Sequence, residues 1–241
     1  MTDEFTRLKE AISISDNIVF FGGAGVSTES GIPDFRSADG IYNMKYAYPP
    51  ETILSHSFFM DHPDEFFTFY REKLLYPGAK PNKAHTALAE LERRGKLKAV
   101  VTQNVDGLHI EAGSVNVLEL HGSCKRNYCM KCGRSFTVDT ILESNGVPHC
   151  PCGGVIKPDV VLFEESLDQR IMDNSVKAIR NAAVLIVGGT SLNVYPAAGL
   201  IQYYSGSMLI LINKSATSYD RYANIVIHDS IGPTLGAAII E

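Results

Sequence analysis

Gly22-Gly23-Ala24-Gly25-Val26-Ser27-Thr28-Glu29-Ser30-Gly31-Ile32-Pro33-Asp34-Phe35-Arg36-Ser37 follows the apolar run Asn17 to Phe21. The run reads as a buried strand, and the glycines after it allow the tight turn and close backbone approach that a pyrophosphate needs. A dehydrogenase fingerprint would carry a Gly or Ala three residues after Gly25 and a helix running straight on. This chain has Thr28 there, and Gly31-Ile32-Pro33 interrupts any helix. Pro33 restricts Ile32 to extended conformations, so Asp34, Phe35 and Arg36 are expected on a loop beside a bound dinucleotide. An acid, an aromatic ring and a guanidinium so placed point to chemistry on the dinucleotide itself.

Outward from this turn, strand-like runs recur at Lys98 to Thr102, Asn116 to Leu120, Val160 to Phe163, Ala183 to Gly188, Met208 to Asn213 and Asn224 to His228. Several are continuously apolar, as strands buried on both faces of a parallel sheet are. Helical patterns cover Thr2 to Ser15, Pro81 to Arg94, Leu167 to Asn181, Pro196 to Tyr204 and Pro233 to Ile240. The alternation predicts an α/β, doubly wound parallel sheet. Two segments break it: the aromatic, helical Gly40 to Tyr76, and Ser123 to Lys157, which holds the cysteines. Both read as insertions that together build a smaller domain. The expected division is 1–39, 77–122 and 158–241 for the sheet domain, with 40–76 as a helical module and 123–157 as a metal module.

With 241 residues, 45% hydrophobic and 20% charged, the chain is ordinary for a soluble globular protein of one main domain. Its formal charge of −5 argues against a protein held to nucleic acid by its overall field. No apolar run is long enough to span a membrane, and Asp3 and Glu4 do not begin a signal peptide. A cytoplasmic protein is expected.

All five cysteines fall between Cys124 and Cys152, a clustering that fits a local metal site better than a disulfide framework. Cys129-Met130-Lys131-Cys132 and Cys150-Pro151-Cys152 offer four thiolates in two close pairs, the donor set tetrahedral zinc prefers. Four protein thiolates leave no open coordination position, so the zinc is expected to be structural. The C-x-C knuckle is tight, and Gly153-Gly154 supplies backbone freedom behind it. Cys124 remains as an unpaired thiol.

Three further clusters follow strands: Gln103-Asn104-Val105-Asp106-Gly107-Leu108-His109, His121-Gly122, and Gly188-Gly189-Thr190-Ser191. In an open parallel sheet that places them at the carboxyl edge, where ligands bind. His121 stands out because it ends a strand and precedes a glycine. His56, His62, His85, His149 and His228 read as ordinary structural histidines.

With these motifs in order, and with Lys157-Pro158-Asp159-Val160-Val161-Leu162-Phe163-Glu164-Glu165 and Gly189-Thr190-Ser191-Leu192 added, the chain resembles the sirtuins, NAD-dependent protein deacylases, over nearly its whole length. The resemblance implies a Rossmann-like NAD-binding domain beside a zinc-bearing one. It also implies a reaction in which the acyl-lysine carbonyl oxygen attacks the nicotinamide ribose at C1′, nicotinamide leaves, and O-acyl-ADP-ribose is released. His121 would be the general base toward a ribose hydroxyl, a task suited to a group that titrates near neutrality. Asp106 would hold the nicotinamide carboxamide and Asn104 lie near the reacting ribose. Phe35 would cover that ribose, and Arg36 neutralise phosphate or order the loop. Gly23, Ala24, Gly25, Thr28, Gln103, Val105, Gly189, Thr190 and Ser191 would line the dinucleotide, with Asn213 and Lys214 at the adenosine ribose and Ile231 on the adenine. Val160, Val161, Leu162, Phe163 and Glu164 would form the edge that pairs with the backbone of an acyl-lysine peptide.

The chain departs from that family in its C-x-C knuckle, in Ile110 where a glutamine is common, and in Lys73 three residues after Tyr70, where relatives acting on acidic acyl groups carry arginine. Acetyl is therefore the expected acyl group. A monomer acting on protein substrates is expected. The competing readings are a protein ADP-ribosyltransferase and a non-enzymatic NAD-sensing module that uses Lys125, Arg126, Lys131 and Arg134 to bind a partner.

Overall fold

The computed structural model describes residues 3–35, 40–43 and 46–240. Its larger part is a six-stranded sheet in the order β3-β2-β1-β7-β8-β9, every pairing parallel. The strands are β1 (Ile18–Gly22), β2 (Leu97–Thr102), β3 (Val117–Glu119), β7 (Val184–Gly188), β8 (Met208–Ile212) and β9 (Ile225–Ile227). A three-stranded antiparallel sheet holds β4 (Gly122–Cys129), β5 (Ser135–Thr137) and β6 (Ile156–Val160) in the order β5-β4-β6.

Every residue of β1 and of β7 is buried, which is why their sequences are continuously apolar. On one face Phe20, Val100, Ile186 and Ile210 pack with Leu8 of α1 (Asp3–Ile14), Leu88 of α5 (Lys83–Arg93) and Leu235 of α9 (Ile231–Ile239). On the other, Phe21, Val101, Leu185 and Leu211 pack with Ile179 of α8 (Gln169–Asn181) and with the 3-10 helix Ala197–Tyr203. That last segment carries the helical pattern expected for Pro196 to Tyr204 but is wound as a 3-10 helix.

The chain leaves β1 toward β2 on one side and leaves β7 toward β8 on the other, so the loops after β1 and β7 diverge. This reversal opens a crevice at the carboxyl ends of those two strands, where α/β sheets bind ligands. After β1 the chain makes two short 3-10 turns, Ala24–Val26 and Thr28–Ser30, and ends them at Gly31 with φ +82°. No helix continues from β1, as Gly31 and Pro33 require.

The two insertions share one hydrophobic core. Helices α2 (Pro50–Ile53), α3 (His56–Asp61) and α4 (Pro63–Lys73) bring Phe58, Phe59, Phe66, Phe67 and Tyr70 together with Cys124, Ile156 and Leu162. Phe59 and Phe66 meet edge to face at 4.9 Å, the arrangement aromatic quadrupoles favour. Arg71 ties α4 to α7 (Val138–Glu143) by donating to the Ile141 carbonyl at 2.8 Å and the Ser144 hydroxyl at 2.8 Å.

One predicted strand is corrected. Val160 to Phe163 does not join the parallel sheet; Ile156–Val160 pairs antiparallel with Gly122–Cys129, and the chain turns away after Val160. The apolar run is explained by burial of Val160 and Leu162 in the insertions' core. β4 begins directly at Gly122, so Leu120 and His121 alone carry the chain from β3 of the parallel sheet into the antiparallel one.

Candidate functional site

The crevice is built by backbone approaching backbone. Gly25 N–H donates to the Gly189 carbonyl at 2.8 Å, and a Cβ on Gly25 would stand 2.8 Å from the Gly189 Cα, which leaves glycine as the residue that fits. Gln103 joins both walls: its N–H donates to the Gly22 carbonyl at 3.0 Å and its Nε2 to the Thr190 hydroxyl at 3.0 Å. Thr28 closes the first turn by donating its hydroxyl to the Gly25 carbonyl at 3.0 Å. Gly23, Ala24, Gly25, Thr28, Gln103, Gly189 and Thr190 therefore converge on one edge, and Ser191 follows them exposed.

Asn213 lies just beyond β8, where its Nδ2 donates to the Ser215 carbonyl at 2.8 Å and its carbonyl accepts from His228 at 3.1 Å. Lys214 is exposed. Ile231 is buried in the sheet core, with its side chain against Gly188 at the carboxyl end of β7. Phe35 packs on the insertions' core, edge to face with Tyr42 at 5.5 Å. Arg36 and Ser37 lie outside the described residues.

Beside the crevice a chain of polar groups runs inward. Ser27 donates its hydroxyl proton to Asp106 Oδ2 at 2.7 Å and accepts from Asn104 Nδ2 at 3.0 Å. Asp106 Oδ1 also accepts from Leu108 N–H at 2.8 Å, so the carboxylate acts only as an acceptor. His85 Nδ1 accepts from Asn82 N–H at 3.2 Å; the neutral ring therefore carries its proton on Nε2, which lies 3.5 Å from the Ser27 oxygen. Burial lowers His85 to about 4, with Asp106 opposing the shift. The ring of His109 stands edge-on to His85 at 4.7 Å, and burial lowers it to about 3, helped by His85. Neither ring nitrogen of His109 has a partner among the described residues. Ser27 and Asn82 carried no assigned role in the sequence and His85 read as an ordinary structural histidine, because nothing there marks that residues 58 positions apart meet. Asp106 also lines a cavity of about 180 Å³ with Ile32, Leu74, Leu108 and Cys124.

His121 occupies the two-residue link between the sheets. Its Nδ1 is 2.9 Å from the Gln103 carbonyl, which can only accept, so Nδ1 holds the proton and Nε2 carries the lone pair. Burial lowers its pKa, partly offset by that carbonyl bond. Gly122 follows with φ +74°, and a Cβ there would collide with the Asp159 carbonyl of the neighbouring strand. The glycine is what lets the histidine sit at the sheet's end while the chain turns sharply into β4.

The segment 160–164 is narrower as a peptide-pairing edge than its sequence implies. Val160 pairs with Gly122, and Val161 N–H donates to the His121 carbonyl at 3.0 Å. Both main-chain groups of Phe163 are taken by the chain itself, its N–H by the Leu54 carbonyl at 2.9 Å and its carbonyl by His56 N–H at 3.0 Å. Leu162 N–H goes to Glu165 Oε2 at 2.9 Å. Among the described residues, the Val161 carbonyl and both main-chain groups of Glu164 have no partner. Buried Lys157 braces the segment by donating to the Val160 carbonyl at 3.0 Å and to Glu165 at 3.1 Å.

The four cysteines of the two pairs bring their sulfurs within 4.8 Å of one another. Cys129 and Cys152 are 3.5 Å apart, Cys132 and Cys150 3.7 Å. A tetrahedron with arms of about 2.3 Å has edges of about 3.8 Å, so the cluster fits one zinc ion. Lys131 N–H and Cys132 N–H both point at Cys129 Sγ, at 3.4 Å and 3.5 Å, as donors to a thiolate do. Cys124 is not in this group. Burial in the insertions' core pushes its thiol up to about 12, which makes it inert.

The Sir2 family profile matches residues 23–196. A protein of Clostridium acetobutylicum named NAD-dependent protein deacetylase is 60% identical over 243 residues, covering 99% of this chain and 99% of its own. One of the same name from Cutibacterium acnes is 55% identical over 239 residues, covering 98% of this chain and 97% of its own. Among solved structures, a Sir2 complex with a p53 peptide and NAD+ is 40% identical, covers 98% of this chain and 96% of its own, and superposes with a TM-score of 0.84. A glycine turn that bridges β1 and β7, a histidine on the link between two sheets and a four-thiolate cluster all lie within that full-length likeness, and the chain belongs to the Sir2 family, the sirtuins, in its bacterial form.

Proposed function

We propose that this protein removes acetyl groups from lysine side chains of proteins at the expense of NAD, releasing nicotinamide and O-acetyl-ADP-ribose. The observation that carries the reading is His121, whose Nδ1–H is committed to the Gln103 carbonyl and whose Nε2 is left as a base beside the crevice. Bound NAD supplies a ribose carbon from which nicotinamide departs. The chain's own residues bind and orient. Gly23, Ala24, Gly25, Thr28, Gln103, Gly189, Thr190 and Ser191 hold the dinucleotide at the carboxyl edge, with Val105 and Phe35 toward the smaller module and Asn213 and Lys214 toward the adenosine. Asp106, fixed by Ser27 and Leu108, presents a carboxylate to the cavity where the carboxamide is held, and Asn104 is oriented through the same Ser27 oxygen. The free main-chain groups of Val161 and Glu164 receive the substrate backbone. Zinc on Cys129, Cys132, Cys150 and Cys152 holds the antiparallel sheet together and takes no part in the chemistry. Clustered thiolates suit a reducing compartment, and we place the protein in the cytoplasm, acting as a monomer. No described helix is long and apolar enough to cross a membrane.

Incubation with NAD and an acetyl-lysine peptide, read by mass spectrometry, tests the reading. Nicotinamide and deacetylated peptide are expected in equal amounts, with no NADH. Peptide-independent transfer of adenine-labelled ADP-ribose to protein, without deacetylation, would replace it with the ADP-ribosyltransferase reading.

A further inference from the structure

Glu164 adopts φ +74°, a left-handed conformation that a long side chain rarely takes. Glycine would occupy it without strain, so the presence of an acid points to a use for the side chain. Its carboxylate is held in place, accepting from Ser57 N–H at 2.9 Å and from the Ser57 hydroxyl at 2.9 Å. It has no basic partner among the described residues.

Neighbouring Glu165, and Asp159 and Glu119 further along the smaller module, each have a cationic partner. Glu165 is satisfied by Lys157 at 3.1 Å, by His56 Nδ1 at 2.9 Å and by Leu162 N–H. Asp159 and Glu119 share Arg126, at 2.8 Å and 2.6 Å. The Lys157–Glu165 pair sums to zero and the Arg126 group to one negative charge. Glu164 adds a second, exposed and immobilised, on a residue whose main-chain N–H and carbonyl have no partner among the described residues.

We propose that Glu164 is a specificity-determining residue that selects substrates carrying lysine or arginine next to the acetyl-lysine. The proposal rests on the deacetylase reading and on the use of this edge for the peptide. A carboxylate anchored by a serine has already lost the freedom that makes most surface ion pairs weak, and the peptide would bring the missing cation. The overall charge of −5 favours the same substrates at longer range.

The test compares acetyl-lysine peptides identical except for Arg, Gln or Asp at the flanking positions, at saturating NAD. kcat/KM is expected to rise by about two- to five-fold for each unit of positive charge gained, the range of a well-placed exposed ion pair. The preference should shrink toward one in 0.5 M salt, where the screening length falls to about 4 Å. Glu164→Gln should bring the Arg-to-Asp ratio near one, and Glu164→Lys should invert it. A wild-type protein that deacetylates all three peptides equally, or a Glu164→Gln variant that keeps the parent ratio, overturns the proposal. If no peptide is deacetylated, the deacetylase reading fails instead; fluorescence anisotropy of the same labelled peptides then decides the charge preference from binding alone.

Discussion

At the scale of single residues, His121 has its roles divided between two nitrogens. The Gln103 carbonyl holds the proton on Nδ1, which leaves Nε2 able to accept one. His121→Ala should lower deacetylation by about two or more orders of magnitude, the contribution expected of a general base, while NAD and peptide still bind. If the proposed base acts after nicotinamide departs, the variant should keep measurable exchange of labelled nicotinamide into NAD in the presence of acetyl-peptide. Parent-rate deacetylation by the variant would remove the base from His121. Burial lowers the histidine's pKa, so its basic form persists to lower pH than that of a free imidazole, and the acid limb of kcat/KM should fall below about pH 6.5. The motif around Asp106 was legible as residues, but its support was not. Ser27 stands in the opening glycine turn and His85 on α5, and neither position advertises that one oxygen serves Asn104, Asp106 and His85 together.

At the scale of elements, the cysteine pairs declared themselves by spacing, whereas the strands that carry them did not. β4 reads Gly122-Ser123-Cys124-Lys125-Arg126-Asn127-Tyr128-Cys129, with polar residues on the exposed positions and no continuous apolar run to announce a strand. Its pairing partner β6 contains Pro158, a residue that argues against a strand in most contexts. The metal is expected to hold these two strands, because four ligands from opposite ends of the module can be satisfied only when the module is folded. Cys129→Ala should lose the bound zinc, as read by metal analysis. It should also lower the melting temperature by about 5 °C or more, the shift that a loss of about 2 kcal/mol gives in a chain of this length. Activity should fall with it, since the Val161 edge continues β6. A zinc-free protein of full activity would show that the sulfurs meet for another reason.

At the scale of the whole molecule, the polar chain from Asn82 to Asp106 contains one buried neutral histidine, His85, and packs against a second, His109. The unfolded chain takes up protons on His85 and His109 near pH 6.5, while the folded protein resists until about 4 and about 3. The unfolded state therefore binds more protons across that window, and stability falls as the pH drops from 6.5 toward 3. His109→Phe keeps a flat ring against His85 and removes one titrating group. Between pH 7 and pH 5 the parent should lose about 2 kcal/mol more than this variant in denaturant titrations, the integral for one histidine over that interval. Equal losses in both proteins would mean that His109 is not kept neutral by burial.

Legible along the chain alone were the alternation that makes a doubly wound sheet, the absence of a hydride-transfer fingerprint after β1, the two cysteine pairs and the motifs at the strand ends. These are local properties: period, glycine and proline at the turns, and short spacings between ligands report on neighbours along the chain. Whatever depends on distant segments meeting came from the folded chain. The apolar run at Val160 to Phe163 turned out to serve the insertions' core and an antiparallel pairing, because burial rewards apolar residues whichever sheet they join. Ile231 went into the sheet core for the same reason. How many main-chain groups of 160–164 stay open depends on Leu54 and His56 taking both those of Phe163 from more than a hundred residues away, a hydrogen-bond count that no single segment carries.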